Sequence, residues 1–284
     1  MGDEVAMWKT PGDFLADSLA SRDELEEGIK RSFEKYYHSY LQVFGERMKA
    51  LYSQQMKELG GLIGQIDTNP VRVLEAGCGC GTESLWMALL GAQVTGIDLD
   101  EPRLAVARAR QLQLERRLGR QVPVRWHCES LLDHEPEGYD IIWLEQALHH
   151  MEPRDLVLAK LKELLRPGGW LVVSEANGLN LALQAQLIYR RGFRTMGEYL
   201  DREGNSHPYG IERVMTARGL ARKLRKHGFE VAGFRHFRFF PNRSSFDGLA
   251  QFEEDWASNT TAPFCTHYNL VAQRPLSDSF RSVR

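Results

Sequence analysis

Two stretches of this 284-residue sequence carry groups suited to chemistry. In the first, VRVLEAGCGCG, the glycines Gly77, Gly79 and Gly81 follow an apolar run and precede a helical pattern. Bare backbone at such a junction lets a ligand lie against the main chain. In the second, YDIIWLEQALHHM, an apolar run ends in Glu145 and Gln146 and then in His149 and His150. Histidine exchanges its proton nearest neutral pH, so a pair just beyond a strand is a candidate acid or base, although such rings also cap helices or pack. Acidic residues end two further strand-like runs, Asp98 with Leu99 in VTGIDL and Glu129 with Ser130 in HCES. A third group lies within residues 177 to 215, where Arg190, Arg191, Arg194, Arg202 and Arg213 are interspersed with Tyr189, Tyr199, His207 and Tyr209. Guanidinium groups bind carboxylates and phosphates bidentately, and a solvated surface has the same composition.

The spacing of the glycine loop is G-x-G-x-G, which departs from the G-x-G-x-x-G fingerprint of dinucleotide sites. Glu75 stands at its entrance, where it would repel a pyrophosphate. S-adenosylmethionine has no phosphate, and its ammonium group favours a carboxylate. Asp98 follows the loop by about twenty residues, the distance expected for an acid that hydrogen-bonds ribose hydroxyls. Cys78 and Cys80 alternate with the glycines, either as a redox pair or as small packing side chains. The four cysteines form no disulfide framework, and no zinc-ligand spacing appears, so no metal is expected.

The elements that must position these groups are legible as alternating patterns. Ser21 and Glu24 have capping-box spacing, and apolar residues from Leu25 to Leu59 then recur at near-helical intervals. Helix is predicted over residues 22 to 63, broken near Gly45. Phe33, Tyr36, Tyr37 and Tyr40 on this segment serve either a lid or a core. From Val71 onward, VRVLEA, AQVTGIDL, VPVRWHC, YDIIWLE and WLVVSEA alternate with helical stretches, with a turn at Pro167, Gly168 and Gly169 before the last. This order predicts an α/β fold with a mainly parallel sheet and helices on both faces. A helix from about Thr216 to His227, ended by Gly228, precedes two edge strands, FEVAGFRHFRFF and FCTHYNLVAQ. The domain reading is a helical lid over 1–70, a core over 71–176, a substrate cap over 177–215, a C-terminal helix and edge strands over 216–275, and a tail over 276–284.

Taken in order, EAGCGCG, GIDLD, YDIIWLEQALHHM and LRPGGWLVVSE resemble the successive motifs of class I S-adenosylmethionine-dependent methyltransferases of the small-molecule type. The resemblance covers residues 71 to 176. It implies a Rossmann-like, doubly wound, seven-stranded sheet with its last strand antiparallel, and S-adenosylmethionine as cofactor. It also implies that Glu75, Gly77, Gly79, Gly81, Asp98, Leu99, Glu129, Ser130, Glu145 and Gln146 hold the cofactor, with Tyr36 or Tyr37 closing over it. His150, before a methionine, is then the first candidate base and His149 the second. The expected acceptor is a small organic molecule, with an anionic group suited to the arginines of the cap, met by Tyr189, Arg190, Arg194, Tyr199 and Tyr209. Methylation of RNA or protein and non-catalytic cofactor binding stand as alternatives.

A net charge of −2 supplies no global basic field, which disfavours nucleic acid as a partner. The first twenty residues contain Asp3, Glu4, Asp13 and Asp17 without a sustained apolar run, so neither a signal peptide nor a membrane span is expected. A cytoplasmic protein is the expectation, and the sequence leaves a homo-oligomer open.

Overall fold

Hydrophobic residues on successive strand positions face opposite sides of a sheet, and here both sides are covered. The computed structural model describes residues 8–200, 204–256 and 261–276. Strands β1 (Arg72–Ala76), β2 (Gln93–Asp98), β3 (Val124–Cys128), β4 (Tyr139–Glu145) and β5 (Leu165–Ala176) pair in parallel. The C-terminal strands β8 (Glu230–Phe237) and β9 (His267–Gln273) complete a seven-stranded sheet in the order β3-β2-β1-β4-β5-β9-β8. β9 runs antiparallel to both of its neighbours. Along β4, Ile141 and Trp143 enter one core while Ile142 and Leu144 enter the other. The expected turn at Pro167 to Gly169 is absorbed into β5, where a register irregularity against β4 accommodates it.

Helices α6 (Thr82–Leu89) and α7 (Glu101–Leu118) cover one face, and α8 (Arg154–Leu164) and α10 (Ala217–Lys226) cover the other. Two of them begin at a capping side chain. Asp100 caps α7 by accepting from the Arg103 N–H at 3.1 Å, and Thr216 caps α10 through the Gly219 N–H at 3.0 Å.

The N-terminal segment differs most from the sequence pattern. A first helix, α1 (Pro11–Ala20), is capped by the Thr10 hydroxyl and has proline at its first position. Ser21 is not a start signal: its hydroxyl donates to the Asp17 carbonyl at 2.8 Å and ends α1. Ser21 to Glu24 form a single tight turn, after which α2 (Glu27–Tyr36), α3 (His38–Val43), α4 (Glu46–Gln55) and α5 (Lys57–Gln65) follow with breaks at Tyr37 and Met56 as well as near Gly45. These breaks let the chain wrap around one face of the sheet, where a straight helix would run past it. The cap region folds as α9 (Leu181–Arg191) and an antiparallel hairpin, β6 (Met196–Leu200) and β7 (Ser206–Gly210). Among the described residues, no helix is long and apolar enough to cross a membrane.

One buried ion pair ties the N-terminal helices to the C-terminal part of the chain. Arg47 of α4 and Glu253 of α11 (Ala250–Trp256) meet at 2.8 Å with neither side chain exposed. Arg47 also donates to the Pro241 carbonyl, and Glu253 accepts from the N–H groups of Phe239 and Phe240. A carboxylate stripped of its partner in such a place is costly. Arg47→Ala should lower unfolding free energy by about 3 to 5 kcal/mol in urea titrations; a loss under 1 kcal/mol would show that the pair does not hold these segments together.

Candidate active site

The loop between β1 and α6 is stitched to β2. Gly77 and Cys78 both donate their N–H groups to the Ile97 carbonyl, at 2.8 and 3.0 Å. Gly79 and Gly81 hold left-handed backbone at φ 52° and 73°. A Cβ at Gly79 would collide with the Tyr36 phenol, and one at Gly81 with the Trp126 ring, so both conformation and space demand glycine. Asp98 ends β2 with one carboxylate oxygen accepting from the Gly79 N–H and the other from the Asp100 N–H, each at 2.8 Å.

A cavity of about 460 Å³ opens at the carboxyl edge of β1, β2 and β4. Gly77, Asp98, Leu99, Glu129, Ser130, Glu145, Gln146 and His150 line it, and Tyr36, Tyr199 and Tyr209 enclose it. Tyr36 comes from the end of α2, and the Arg103 guanidinium sits 5.3 Å from its ring centre. Tyr199 and Tyr209 come from the hairpin, whose Tyr209 bridges to Met151. Glu129 is oriented by His134, whose Nδ1 lies 2.6 Å from its carboxylate and whose Nε2 meets the Tyr139 hydroxyl at 2.8 Å.

Other expected residues lie elsewhere. Glu75 is buried behind the loop, where it accepts from the Ser84 hydroxyl. Burial, and then the charge of Glu83, push its carboxyl well above the usual range; its bond to Ser84 anchors α6 to β1, and it does not line the cavity. Gly79 and Gly81 shape the loop beneath Tyr36 and at the start of α6. Tyr37 points into the core, sharing a hydrogen bond with the Thr82 hydroxyl, with the Arg110 guanidinium 5.8 Å from its ring centre. Tyr189, Arg190 and Arg194 are not brought to the cavity. Only Leu187 of α9 is buried, so the end of that helix stays in solvent, and Tyr189 is 92% exposed. Arg194 is also exposed and donates to the Met196 carbonyl at 3.2 Å. Arg202 lies outside the described residues.

The two histidines occupy different environments. His149 is buried, with Nδ1 2.7 Å from one oxygen of Glu175 and its N–H donating to the other at 3.2 Å. Burial alone would lower its pKa, but the Glu175 charge and hydrogen bond override this and raise it. Glu175, despite burial, is held below the usual carboxylate range by His149. His150 donates from Nδ1 to the Gly210 carbonyl at 2.8 Å and stacks on Tyr209, ring centres 4.9 Å apart. Burial, and then the neighbouring His149, depress its pKa. Glu175 was visible in the sequence as the acid that ends WLVVSEA. Glu212, whose carboxylate lies 3.6 Å from His149 Nε2, carried no such signal, because only the fold of the hairpin brings it there.

S-adenosylmethionine fits this set of residues. Gln146, at φ 47°, has its Nε2 buried without a hydrogen-bond partner, although the residue lines the cavity. A cofactor oxygen would satisfy that donor and relieve a cost of about 1 to 3 kcal/mol. Asp98 stands where ribose hydroxyls would donate. Burial, followed by the charges of Glu83 and Glu175, raises the Glu145 carboxyl to about 8, so it is largely neutral at pH 7. A cationic ligand beside it favours the ionised form, and binding therefore expels a proton. Affinity for S-adenosylmethionine should increase about tenfold per unit as pH rises toward about 8 and then level off. Calorimetry across this range checks the slope, which Glu145→Gln should abolish; a pH-independent wild type would contradict the assignment. Asp98→Ala should weaken binding by about 1.5 to 3 kcal/mol in the same titration, and unchanged affinity would remove Asp98 from the site.

Comparison with known proteins agrees with this geometry. A family profile described as a methyltransferase domain matches residues 74–171. The ubiquinone biosynthesis O-methyltransferase of Bordetella bronchiseptica is 34% identical over 171 residues, covering 60% of this chain and 66%, just under two thirds, of that relative. The protein of the same name from Burkholderia pseudomallei is 31% identical over 173 residues, covering 60% of this chain and 69% of the relative. A SAM-dependent methyltransferase from Methanosarcina mazei shares the fold at 18% identity, with a TM-score of 0.54 over 76% of this chain and 98% of that one. With the strand order, the loop pinned to Asp98 and these relatives in agreement, the chain belongs to the class I S-adenosylmethionine-dependent methyltransferases.

Proposed function

We propose that the chain transfers a methyl group to an oxygen of a small organic acceptor. The observation that carries this reading is the placement of His150 on the wall of the cofactor cavity, beside Glu145 and Gln146, with its basic Nε2 left over once Nδ1 donates to Gly210. The name of the relatives, O-methyltransferase, supports oxygen as the atom that receives the methyl. When bound, S-adenosylmethionine supplies an electrophilic methyl on a sulfonium centre. The protein's own contribution is alignment, since in-line displacement needs the acceptor oxygen, methyl carbon and sulfur in a row. Tyr36 with Arg103 on one side, and Tyr199 with Tyr209 on the other, exclude water and hold the reactants. An acceptor hydroxyl must also lose its proton, and the His149–His150 end of the cavity is where it does so.

The enclosure by Tyr36 and the hairpin favours a small acceptor over RNA or a folded protein. An anionic group on the acceptor has less support than the cap composition implied. Among the described residues Arg103 is the one arginine or lysine lining the cavity, and it already pairs with Asp100 at 3.1 Å. The four cysteines, none of them in a disulfide, fit a reducing, cytoplasmic setting.

A panel of phenols, alcohols, carboxylic acids and amines, incubated with deuterium-labelled methyl donor and examined by mass spectrometry, should yield a methyl ether. Label found only on nitrogen, or only on RNA or protein, would overturn the reading. With the acceptor in hand, His150→Ala should lower kcat by about a hundredfold or more while leaving cofactor affinity intact. Near-normal turnover would leave His150 as packing.

A further inference from the structure

At the edge of the cofactor cavity, the described residues contain one group of side chains whose arrangement resembles a coordination sphere. His149, His150 and Glu212 each offer a ligand atom lying within 4.8 Å of the other two. We propose that these three residues bind a divalent transition-metal ion of the zinc class at the acceptor end of the cavity. The inference rests on the methyl-transfer reading and deepens it by naming what receives the acceptor oxygen.

The hydrogen bonds around the two rings carry the argument. His149 Nδ1 faces Glu175 at 2.7 Å and His150 Nδ1 faces the Gly210 carbonyl at 2.8 Å. Both rings are thus fixed through the same nitrogen to an oxygen acceptor, which sets the tautomer that leaves each Nε2 with its lone pair. Metal-bound histidines are held in this way, one nitrogen on the ion and the other donating to a carboxylate or carbonyl. The third ligand is delivered by a strained backbone. Glu212 has φ 48°, a conformation that non-glycine residues seldom adopt. That conformation is held in place because the hairpin is tied down on either side of Glu212. The Arg213 N–H donates to the His149 carbonyl at 3.2 Å, and the Arg213 side chain pairs with Glu152 at 2.8 Å. On the other side, Gly210 packs so closely on the His149 carbonyl that a Cβ there would collide with it.

Two imidazoles and one carboxylate suit zinc and its neighbours better than magnesium, which prefers oxygen alone. Three protein ligands leave a position open, as in catalytic zinc sites. His150 is both a ligand and part of the cavity wall, so that position adjoins the reacting groups. An acceptor hydroxyl that coordinates there becomes more acidic. Its O–H bond breaks and, because His150 Nε2 then ligates the ion and no longer serves as the base, the proton passes to water. The oxygen then forms a bond to the methyl carbon as the S–CH₃ bond breaks, and the bonding pair stays on sulfur. A sulfonium and an oxyanion become a neutral thioether and a neutral methyl ether.

The test is zinc titration of the purified full chain, first stripped with chelator and then followed by competition with a chromophoric chelator. One equivalent should bind the wild type. Affinity should fall at least tenfold in Glu212→Gln, whose side chain is 44% exposed and whose substitution spares the core. Glu175→Gln, acting through His149, should cost about 10- to 100-fold. Cobalt(II) in place of zinc should show ligand-field absorption that Glu212→Gln alters. S-adenosylmethionine titrated into the same samples separates the two readings. Protein that binds the cofactor but takes up no zinc, or binds it equally well after Glu212→Gln, overturns the metal site alone. Protein that fails to bind the cofactor overturns the methyl-transfer reading itself.

Discussion

The hydrogen bonds that Asp98 accepts from the backbone of Gly79 and Asp100 are the constraint around which the site is built. They join the end of β2 to the turn of the glycine loop, and that turn exists only because Gly79 and Gly81 can hold left-handed backbone with no side chain. With the loop fixed, Gly77 forms part of the cavity wall, and Tyr36 can close over Gly79 from the N-terminal helices. The lid and the loop therefore fit each other by the absence of atoms at Gly79. The N-terminal helices, in turn, are tied to the rest of the chain by the buried Arg47–Glu253 pair, neither member of which lines the cavity.

The carboxyl edge of the sheet gathers more acid than water-free surroundings tolerate as charge. Glu75, Glu83 and Glu145 are all pushed upward, chiefly by burial, whereas Glu175 is held low by its contact with His149. This division gives the site two kinds of carboxyl. Those pushed upward hydrogen-bond and pack, as Glu75 does with Ser84, and Glu145, raised to about 8, ionises beside a cation. Glu175 orients a histidine. The hairpin then adds Tyr209, the Gly210 carbonyl and Glu212 to the same end, which is why the cap matters even though Arg190 and Arg194 stay in solvent.

How much of this was legible in the sequence depended on whether the signal was local. The strands β1, β2, β4 and β5 each carry a short apolar run, and the loop, Asp98 and Glu145 sit at their ends, so spacing together with the family resemblance located most of the cavity wall. The two C-terminal strands were legible at the sheet edge, where β8 is outermost and the antiparallel β9 joins it to β5. Glu75 looked like a ligand because its neighbours are ligands, but the alternation of β1 turns it behind the loop. The N-terminal pattern merged several helices into one, since apolar periodicity continues across Tyr37 and Met56 while the chain changes direction. In the cap, aromatic and basic composition could not tell α9, which faces solvent, from the hairpin, which faces the cavity. The approach of Glu212 to His149 depends on strand pairing in a short polar hairpin, and no periodicity encodes it.

The most direct test of the account is a crystal structure of the chain grown with S-adenosylhomocysteine. The account predicts density in the cavity, with the ribose hydroxyls on Asp98, a polar cofactor atom on Gln146 Nε2, and the sulfur directed toward the His149–His150 end. An empty cavity at saturating ligand, or a nucleoside bound away from Asp98, would contradict it.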